Sequence, residues 1–116
     1  MQYSHLDKMK EGWWIGNFYP SVLRTTLFEV GYKCHKKGEA WPTHYQAEAT
    51  EYNLLLHGKM VMTNGRQMRG KHRLLTPGDI FWVEPGEITK PVFLEDCEVM
   101  VVKVPSIPSD KKVVRC

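Results

Sequence analysis

Three side chains close together in the sequence could act jointly on a bound ion or small molecule. His44 and Gln46 are two residues apart, so on a β-strand they point to the same face. Glu51 follows after a short connection, at the start of an apolar segment. An imidazole, an amide oxygen and a carboxylate that meet inside a barrel form a half-site for a divalent first-row metal. The same residues also permit a metal-free polar cavity in which His44 and Glu51 hydrogen-bond each other, and both alternatives stay open at this stage.

The elements that would position these residues are predicted to be short strands. No stretch long enough for a stable helix keeps a helical stripe of apolar residues without a glycine, a proline or a β-branched cluster. Turn signals recur along the chain, at Gly38, Asn64-Gly65, Pro77-Gly78 and Pro85-Gly86. Turns at such short spacing are typical of an all-β sandwich or barrel, for which we expect about six to eight strands.

Residues 28–35 are the clearest example of period-two alternation. Glu29, Lys33 and His35 share one face, and the more apolar residues between them share the other. The pattern predicts a strand.

Three further segments are predicted to form strands, and they differ in their turns and in their expected burial. Residues 51–62 are predicted to form either a strand pair or one strand kinked at Gly58, and Asn64-Gly65 is a hairpin signal. Residues 79–84 and 97–104 are continuous apolar runs, so we expect them to be buried on both faces or to lie at a sheet centre.

The glycines that frame the first set of residues carry a resemblance to a known family. The spacing of Gly38, His44, Glu51 and Gly58 resembles the first cupin motif, G-x5-H-x-H-x3-4-E-x6-G, with Gln46 in place of the second histidine.

A second stretch resembles the second cupin motif, G-x5-P-x-G-x2-H-x3-N. Gly78 and Gly86 match its glycines, whereas Glu84 replaces the first proline and Thr89 replaces the histidine. The resemblance implies a small single-domain cupin, similar to the sugar-epimerase-like jelly rolls, with a degenerate metal motif. It implies an all-β double-stranded β-helix over residues 22–104, preceded by an N-terminal arm at 1–21 and followed by a tail at 105–116.

The resemblance also implies a cofactor. Metal-binding cupins usually use two histidines and a glutamate from the first motif and a histidine from the second. His44, Gln46 and Glu51 would then hold a divalent metal (Fe, Zn, Mn or Ni) weakly, because Thr89 is a poor substitute for an imidazole. Without a metal, we expect no cofactor.

Two functions of different classes follow from this site. In the first, the chain is a binding module for a sugar or another small polar metabolite, with Asn53, Trp82 and Thr89 as further pocket residues. In the second, it is an enzyme of the sugar isomerase, epimerase or metal-dependent oxygenase type, in which His44 and Glu51 are the catalytic acid–base residues. The departures from the metal motif favour the binding module slightly.

Composition excludes several other classes. The chain has 116 residues, 16 Lys and Arg against 13 Asp and Glu, and a net charge of +3, which is too mild to predict nucleic-acid binding. No apolar run approaches the roughly 20 residues of a membrane span, and the first residues lack an apolar signal-peptide core. The three cysteines, Cys34, Cys97 and Cys116, suggest no disulfide framework, so we expect a cytoplasmic protein.

The two ends of the chain carry further expectations. Trp13 and Trp14 belong to an aromatic N-terminal segment that either packs on a neighbouring molecule, predicting a homodimer, or covers the domain's own core. The charged tail that begins at Asp110 is expected to be solvated, as are Glu48 and His57. The basic group at residues 66–73 is expected to be a solvated edge.

Overall fold

The computed structural model describes residues 1–64 and 72–113. These residues form two five-stranded antiparallel sheets and one short 3-10 turn, Leu6–Lys8, so the all-β prediction is confirmed. The ten strands are β1 Trp13–Ile15, β2 Glu29–His35, β3 His44–Gln46, β4 Thr50–His57, β5 Met60–Asn64, β6 His72–Leu75, β7 Ile80–Val83, β8 Thr89–Phe93, β9 Cys97–Val104 and β10 Lys111–Val113. No helix in the described part of the chain is long and apolar enough to cross a membrane.

The first sheet has the strand order β1-β2-β9-β4-β7, and the second has the order β10-β3-β8-β5-β6. Strand β9 is the central strand of the first sheet, as its apolar run predicted. The same prediction is wrong for β7, which forms the edge of that sheet and exposes Ile80 and Trp82. Only the face of β7 that carries Phe81 and Val83 is covered, because it is the face toward the second sheet, whereas the face that carries Ile80 and Trp82 is exposed.

The core lies between the two sheets. Its buried members come from inward-facing positions of both sheets: Leu55, Met60, Leu75, Phe93, Cys97, Val99 and Val101. In β2 the inward face is the polar one, with Glu29 buried and Lys33 and His35 half-buried. Alternation alone did not reveal this choice of face.

Residues 51–62 form neither a paired hairpin nor one kinked strand: they contain two consecutive strands, β4 and β5, in different sheets, and the chain passes from the first sheet to the second through Gly58. Gly58 has a φ of +87°, and a Cβ built there would lie 2.2 Å from the carbonyl oxygen of Asp96. Only glycine satisfies both conditions without displacing the backbone. The expected Asn64-Gly65 turn and most of the basic group lie outside the described residues.

Both ends of the chain add strands to the sheets, which is why ten strands form rather than the expected six to eight. Strand β1 pairs with β2, and Trp13 packs against the chain's own core beside Gly31. Strand β10 pairs with β3. The prediction of a solvated tail is wrong at its start, because Asp110 is buried and Lys111 is half-buried.

Candidate functional site

An open cavity of about 270 Å³ lies between the sheets. It is lined by side chains from both sheets and from the segments that precede β1 and β3. Its apolar wall includes Trp13, Trp41 and Phe81. Its polar side chains are Glu11, Lys33, His35, His44, Gln46, Glu51, Asn53, Lys103 and Lys111.

The structure brings His44, Gln46, Glu51 and Asn53 together on the cavity wall. His44 and Gln46 are buried on the inward face of β3, while Glu51 and Asn53 are on the inward face of β4. The shared faces expected from strand parity are therefore present.

His44 is a buried imidazole whose environment favours the neutral form. Its Nδ1 lies 3.0 Å from the carbonyl oxygen of Pro42, and because a carbonyl can only accept, Nδ1 donates. Burial lowers the pKa of His44, and the positive charge of Lys111 acts in the same direction, against the Pro42 hydrogen bond. The neutral ring then has Nε2 as a hydrogen-bond acceptor.

Glu51 is held by a lysine and an amide. Its Oε1 lies 4.0 Å from Nζ of Lys103, and its Oε2 accepts a hydrogen bond of 3.3 Å from Nδ2 of Asn53. No hydrogen bond joins His44 to Glu51 among the described residues: Nδ1 of His44 bonds the Pro42 carbonyl, and the Glu51 carboxylate accepts from Asn53.

Gln46 is the least satisfied polar residue of the site. It is 2% exposed, and its Oε1 has no hydrogen-bond partner among the residues that the structure describes. Thr89 is also buried and is paired in register with His44. Its prediction as a pocket residue is corrected, because Thr89 does not line the cavity, whereas Pro91 and Phe93 from the same face of β8 do.

The structure places Trp82 away from the cavity, which corrects its prediction as a pocket residue. Its side chain is 57% exposed on the outer face of β7, opposite Tyr52 of β4. The neighbouring residue, Phe81, has the opposite parity and lines the cavity.

Sequence reasoning missed three lysines, Lys33, Lys103 and Lys111, that line the cavity. One partial signal was available: Lys103 has the parity of Val99 and Val101 in an apolar strand, so it shares their face. No comparable signal marked Lys111, because its place depends on the pairing of β10 with β3.

The lysines lie against the indole rings of the wall. Nζ of Lys33 and Nζ of Lys103 lie 5.4 and 5.0 Å from the centre of the Trp13 ring, and Nζ of Lys111 lies 3.7 Å from that of Trp41. Burial lowers the pKa of Lys111 to about 8, with Lys103 and Lys33 acting in the same direction. Burial also lowers the pKa of Lys33. The cavity is therefore crowded with positive charge.

Asp110 fixes the strand that carries Lys111. Its carboxylate accepts backbone hydrogen bonds from Glu48, at 3.0 and 3.1 Å, and from Ala49, at 2.9 Å. Its own carbonyl oxygen accepts from the backbone nitrogen of Ala47 at 3.1 Å. These bonds tie β10 to the loop between β3 and β4. Glu48 and His57 themselves are exposed, as expected.

A second network fixes the ring under Lys111. Glu39 accepts hydrogen bonds from Nε1 of Trp41 and binds Nδ1 of His35 at 2.7 Å. The Trp41 bond is the main reason that the pKa of Glu39 is lowered, and the His35 bond adds to it. His35 in turn stacks on Phe93 with ring centres 4.3 Å apart.

The donor set does not fit the divalent metal that the motif resemblance implies. No group of three His, Cys, Asp or Glu residues capable of holding a metal occurs in residues 1–64 and 72–113. The ammonium of Lys103 already faces Glu51, and Lys111 lines the same cavity, so a dication would be repelled where it would have to bind. Thr89 supplies no imidazole.

Comparison with known proteins shows the fold. No family model and no curated protein sequence matches the chain. Among solved structures, an uncharacterized conserved protein with a double-stranded beta-helix domain from Klebsiella pneumoniae is 18% identical, with a TM-score of 0.68 over 82% of this chain and 81% of that one. An RmlC-like cupin family protein from Methanocaldococcus jannaschii is 21% identical, with a TM-score of 0.61 over 71% and 73% of the two chains.

A third similar structure is an enzyme. The DMSP lyase DddQ from Ruegeria pomeroyi is 16% identical, with a TM-score of 0.71 over 86% of this chain but only 48% of the lyase. These similarities, together with the two sheets and the cavity between them, identify the fold as a small cupin domain, a double-stranded β-helix.

Proposed function

We propose that this cupin domain binds a small anionic metabolite in the cavity between its sheets. The observation that carries the proposal is the convergence of Lys33, Lys103 and Lys111 on one cavity. Glu51 is the only half-buried carboxylate among the described cavity residues, since Glu11 is exposed. Partly buried ammonium groups are costly unless an anion compensates them, and a bound carboxylate or phosphate would do so.

The remaining polar groups support an anion that also carries hydroxyl or carbonyl groups. Gln46 and Asn53 offer amides, and Nε2 of His44 offers an acceptor. Trp13 and Trp41 supply flat apolar walls. This is the mixture of apolar surface and few polar groups that small-molecule sites use.

Calorimetric titration tests the proposal. We expect gluconate, glycolate and phosphate to include binders, and we expect neutral glucose to bind more weakly than gluconate. Lys103→Met should weaken binding of the best anion at least about tenfold, because one charge-assisted contact is lost. Lys112→Met is the matched control, since Lys112 is an exposed lysine of β10. Equal binding of glucose and gluconate, or equal affinity of the Lys103→Met and Lys112→Met proteins, would contradict the proposal.

A second candidate function is an enzyme that uses His44 as a general base. Its support is the fixed neutral imidazole, whose Nε2 is available to accept a proton from a bound ligand. Proton NMR in D2O would detect exchange of a carbon-bound hydrogen of the bound metabolite. We expect exchange to disappear in His44→Gln; exchange that persists in this variant would exclude the role.

Three predictions remain to be tested. They are a weakly held metal at His44, Gln46 and Glu51, a homodimer, and a cytoplasmic location. The charge of the cavity argues against the metal, and the outer face of the first sheet supports the homodimer.

A further inference from the structure

Two adjacent lysines of β10 have opposite environments. Lys111 lines the cavity, whereas Lys112 is exposed and its Nζ donates to the carbonyl oxygen of Ser109 at 3.2 Å. The Lys111 amine lies 3.7 Å from the centre of the Trp41 ring. Lys111 is therefore an amine confined beside a wall where a ligand would bind.

We propose that the Lys111 amine condenses reversibly with the carbonyl carbon of a small aldehyde acid or keto acid to form an imine. This inference rests on the proposed anion site, because Lys33 and Lys103 would hold the carboxylate of the same ligand. It adds a covalent activity to that site and defines the ligand as a carbonyl-bearing acid.

The condensation needs no oxidant or reductant. The unprotonated Nζ attacks the carbonyl carbon, a C–N bond forms, and the electron pair of the C=O double bond moves to oxygen. The resulting carbinolamine loses its oxygen as water, which takes up the two hydrogens that the amine brought. The product is a C=N bond between Lys111 and the ligand, and hydrolysis reverses the step.

Several charged or titratable groups face Lys111 from the surrounding strands. Lys103 of β9 and Lys33 of β2 disfavour its protonated form, while Glu51 of β4 and the face of the Trp41 ring favour it. Burial disfavours the charged form of His44 of β3. Burial is the largest influence, and it lowers the pKa of the Lys111 amine to about 8. A desolvated lysine beside other cations is the environment that activates amines for imine formation.

The amine is also held in place from both sides. Asp110 anchors the backbone of β10 through its bonds to Glu48 and Ala49, and Glu39 anchors the Trp41 ring beneath the amine. Positioning of this kind raises the rate of a condensation because the amine and the bound carbonyl are already close and oriented for reaction.

Reductive trapping tests the inference. The full chain would be incubated with glyoxylate, or in parallel with pyruvate, in the presence of sodium cyanoborohydride, and the adduct located by intact mass and peptide mapping. We expect one adduct per chain, at Lys111, formed in a saturable manner with at least one of the two acids and suppressed by glycolate. Lys111→Arg, which keeps the charge, should remove the adduct, whereas Lys112→Arg should retain it.

The outcomes separate this inference from the site on which it rests. Circular dichroism and a melting curve would establish that the Lys111→Arg and Lys112→Arg proteins fold. The position of the adduct in the original chain is measured by mass spectrometry and does not depend on either variant. An adduct on Lys33 or Lys103, labelling spread over exposed lysines, or no adduct with either acid would overturn the role of Lys111. If glycolate binds by calorimetry but no adduct forms, only the covalent step fails; if no anion binds, the proposed function fails as well.

Discussion

Lys103 and Glu51 are directly opposite each other on β9 and β4, and Nζ of Lys103 lies 4.0 Å from Oε1 of Glu51. Both side chains are largely buried, with 12% and 17% of their surfaces exposed. The Lys103 ammonium therefore lies beside the Glu51 carboxylate, which the resemblance to the cupin motif implied as a metal ligand. The Glu51 carboxylate is therefore already paired with a cation, which disfavours a metal ion at that position.

Metal removal should leave ligand binding unchanged. Because Lys103 and Lys111 repel a dication from this cavity, we expect protein purified without added metal to contain well under one metal ion per chain. Plasma emission spectrometry measures the content, and calorimetry before and after EDTA treatment measures anion affinity. A stoichiometric metal whose removal abolishes anion binding would contradict this prediction and would support the set His44, Gln46 and Glu51 as its ligands.

Gly58→Ala should strongly destabilise the fold. The residue has a φ of +87° and its Cβ would clash with the Asp96 carbonyl, so we expect a loss of about 2–4 kcal/mol in the free energy of unfolding. Gly38→Ala is the matched control, because Gly38 has a φ of +76° but open space around its Cβ position, and it should lose only about 1 kcal/mol. Urea denaturation gives both values, and equal losses would show that the close approach is not the cause.

Asp110→Ala should destabilise the protein and displace Lys111. The variant leaves the backbone N–H groups of Glu48 and Ala49 without their carboxylate acceptor, at a cost of about 3 kcal/mol. Urea denaturation measures the loss. Asp7→Ala, at an exposed carboxylate, should change stability by less than about 0.5 kcal/mol. A stable Asp110→Ala protein with unaltered anion affinity would show that the anchor is dispensable.

Lys111 should give the stability of the protein a specific pH dependence. Its pKa is about 8 in the folded chain and 10.5 in the unfolded chain, so the unfolded chain binds more protons between these values. The free energy of unfolding contributed by this group therefore rises as the pH increases from about 8 to 10.5.

The difference between the original chain and Lys111→Met isolates this contribution from other groups that titrate in the same range. We expect the difference in urea midpoint to vary with pH across this window, and Lys112→Met to show no such variation. A constant difference between the original chain and Lys111→Met would mean that the amine keeps its ordinary pKa.

The chain should form a homodimer in solution. The outer face of the first sheet exposes neighbouring apolar side chains, with Trp82 57%, Ile80 67% and Tyr52 43% exposed, and such a patch is unusual on a monomer. Light scattering should give twice the mass of one chain. Trp82→Arg should shift the protein toward the monomer, whereas Tyr19→Arg, at an exposed aromatic residue in the segment before β2, should not. A monomeric mass at micromolar concentration would contradict the prediction.

The fold class and the shared faces of the strand residues could be predicted from local sequence patterns. The turn signals predicted an all-β fold, the resemblance carried by Gly38, His44, Glu51 and Gly58 implied a cupin, and strand parity placed Gln46 and Asn53 on the correct face. These inferences succeed because a strand alternates its side chains with period two, and because a glycine with positive φ has few substitutes.

The charge of the cavity was decided only by the tertiary structure. Lys111 enters the cavity because β10 pairs with β3 and Asp110 ties that strand to a distant loop, a contact between residues far apart in the chain. Trp82 was misplaced because parity groups it with Ile80 but does not say which face of β7 is toward the second sheet. Period-two alternation tells which residues share a face, but the packing of the two sheets determines which face is inside.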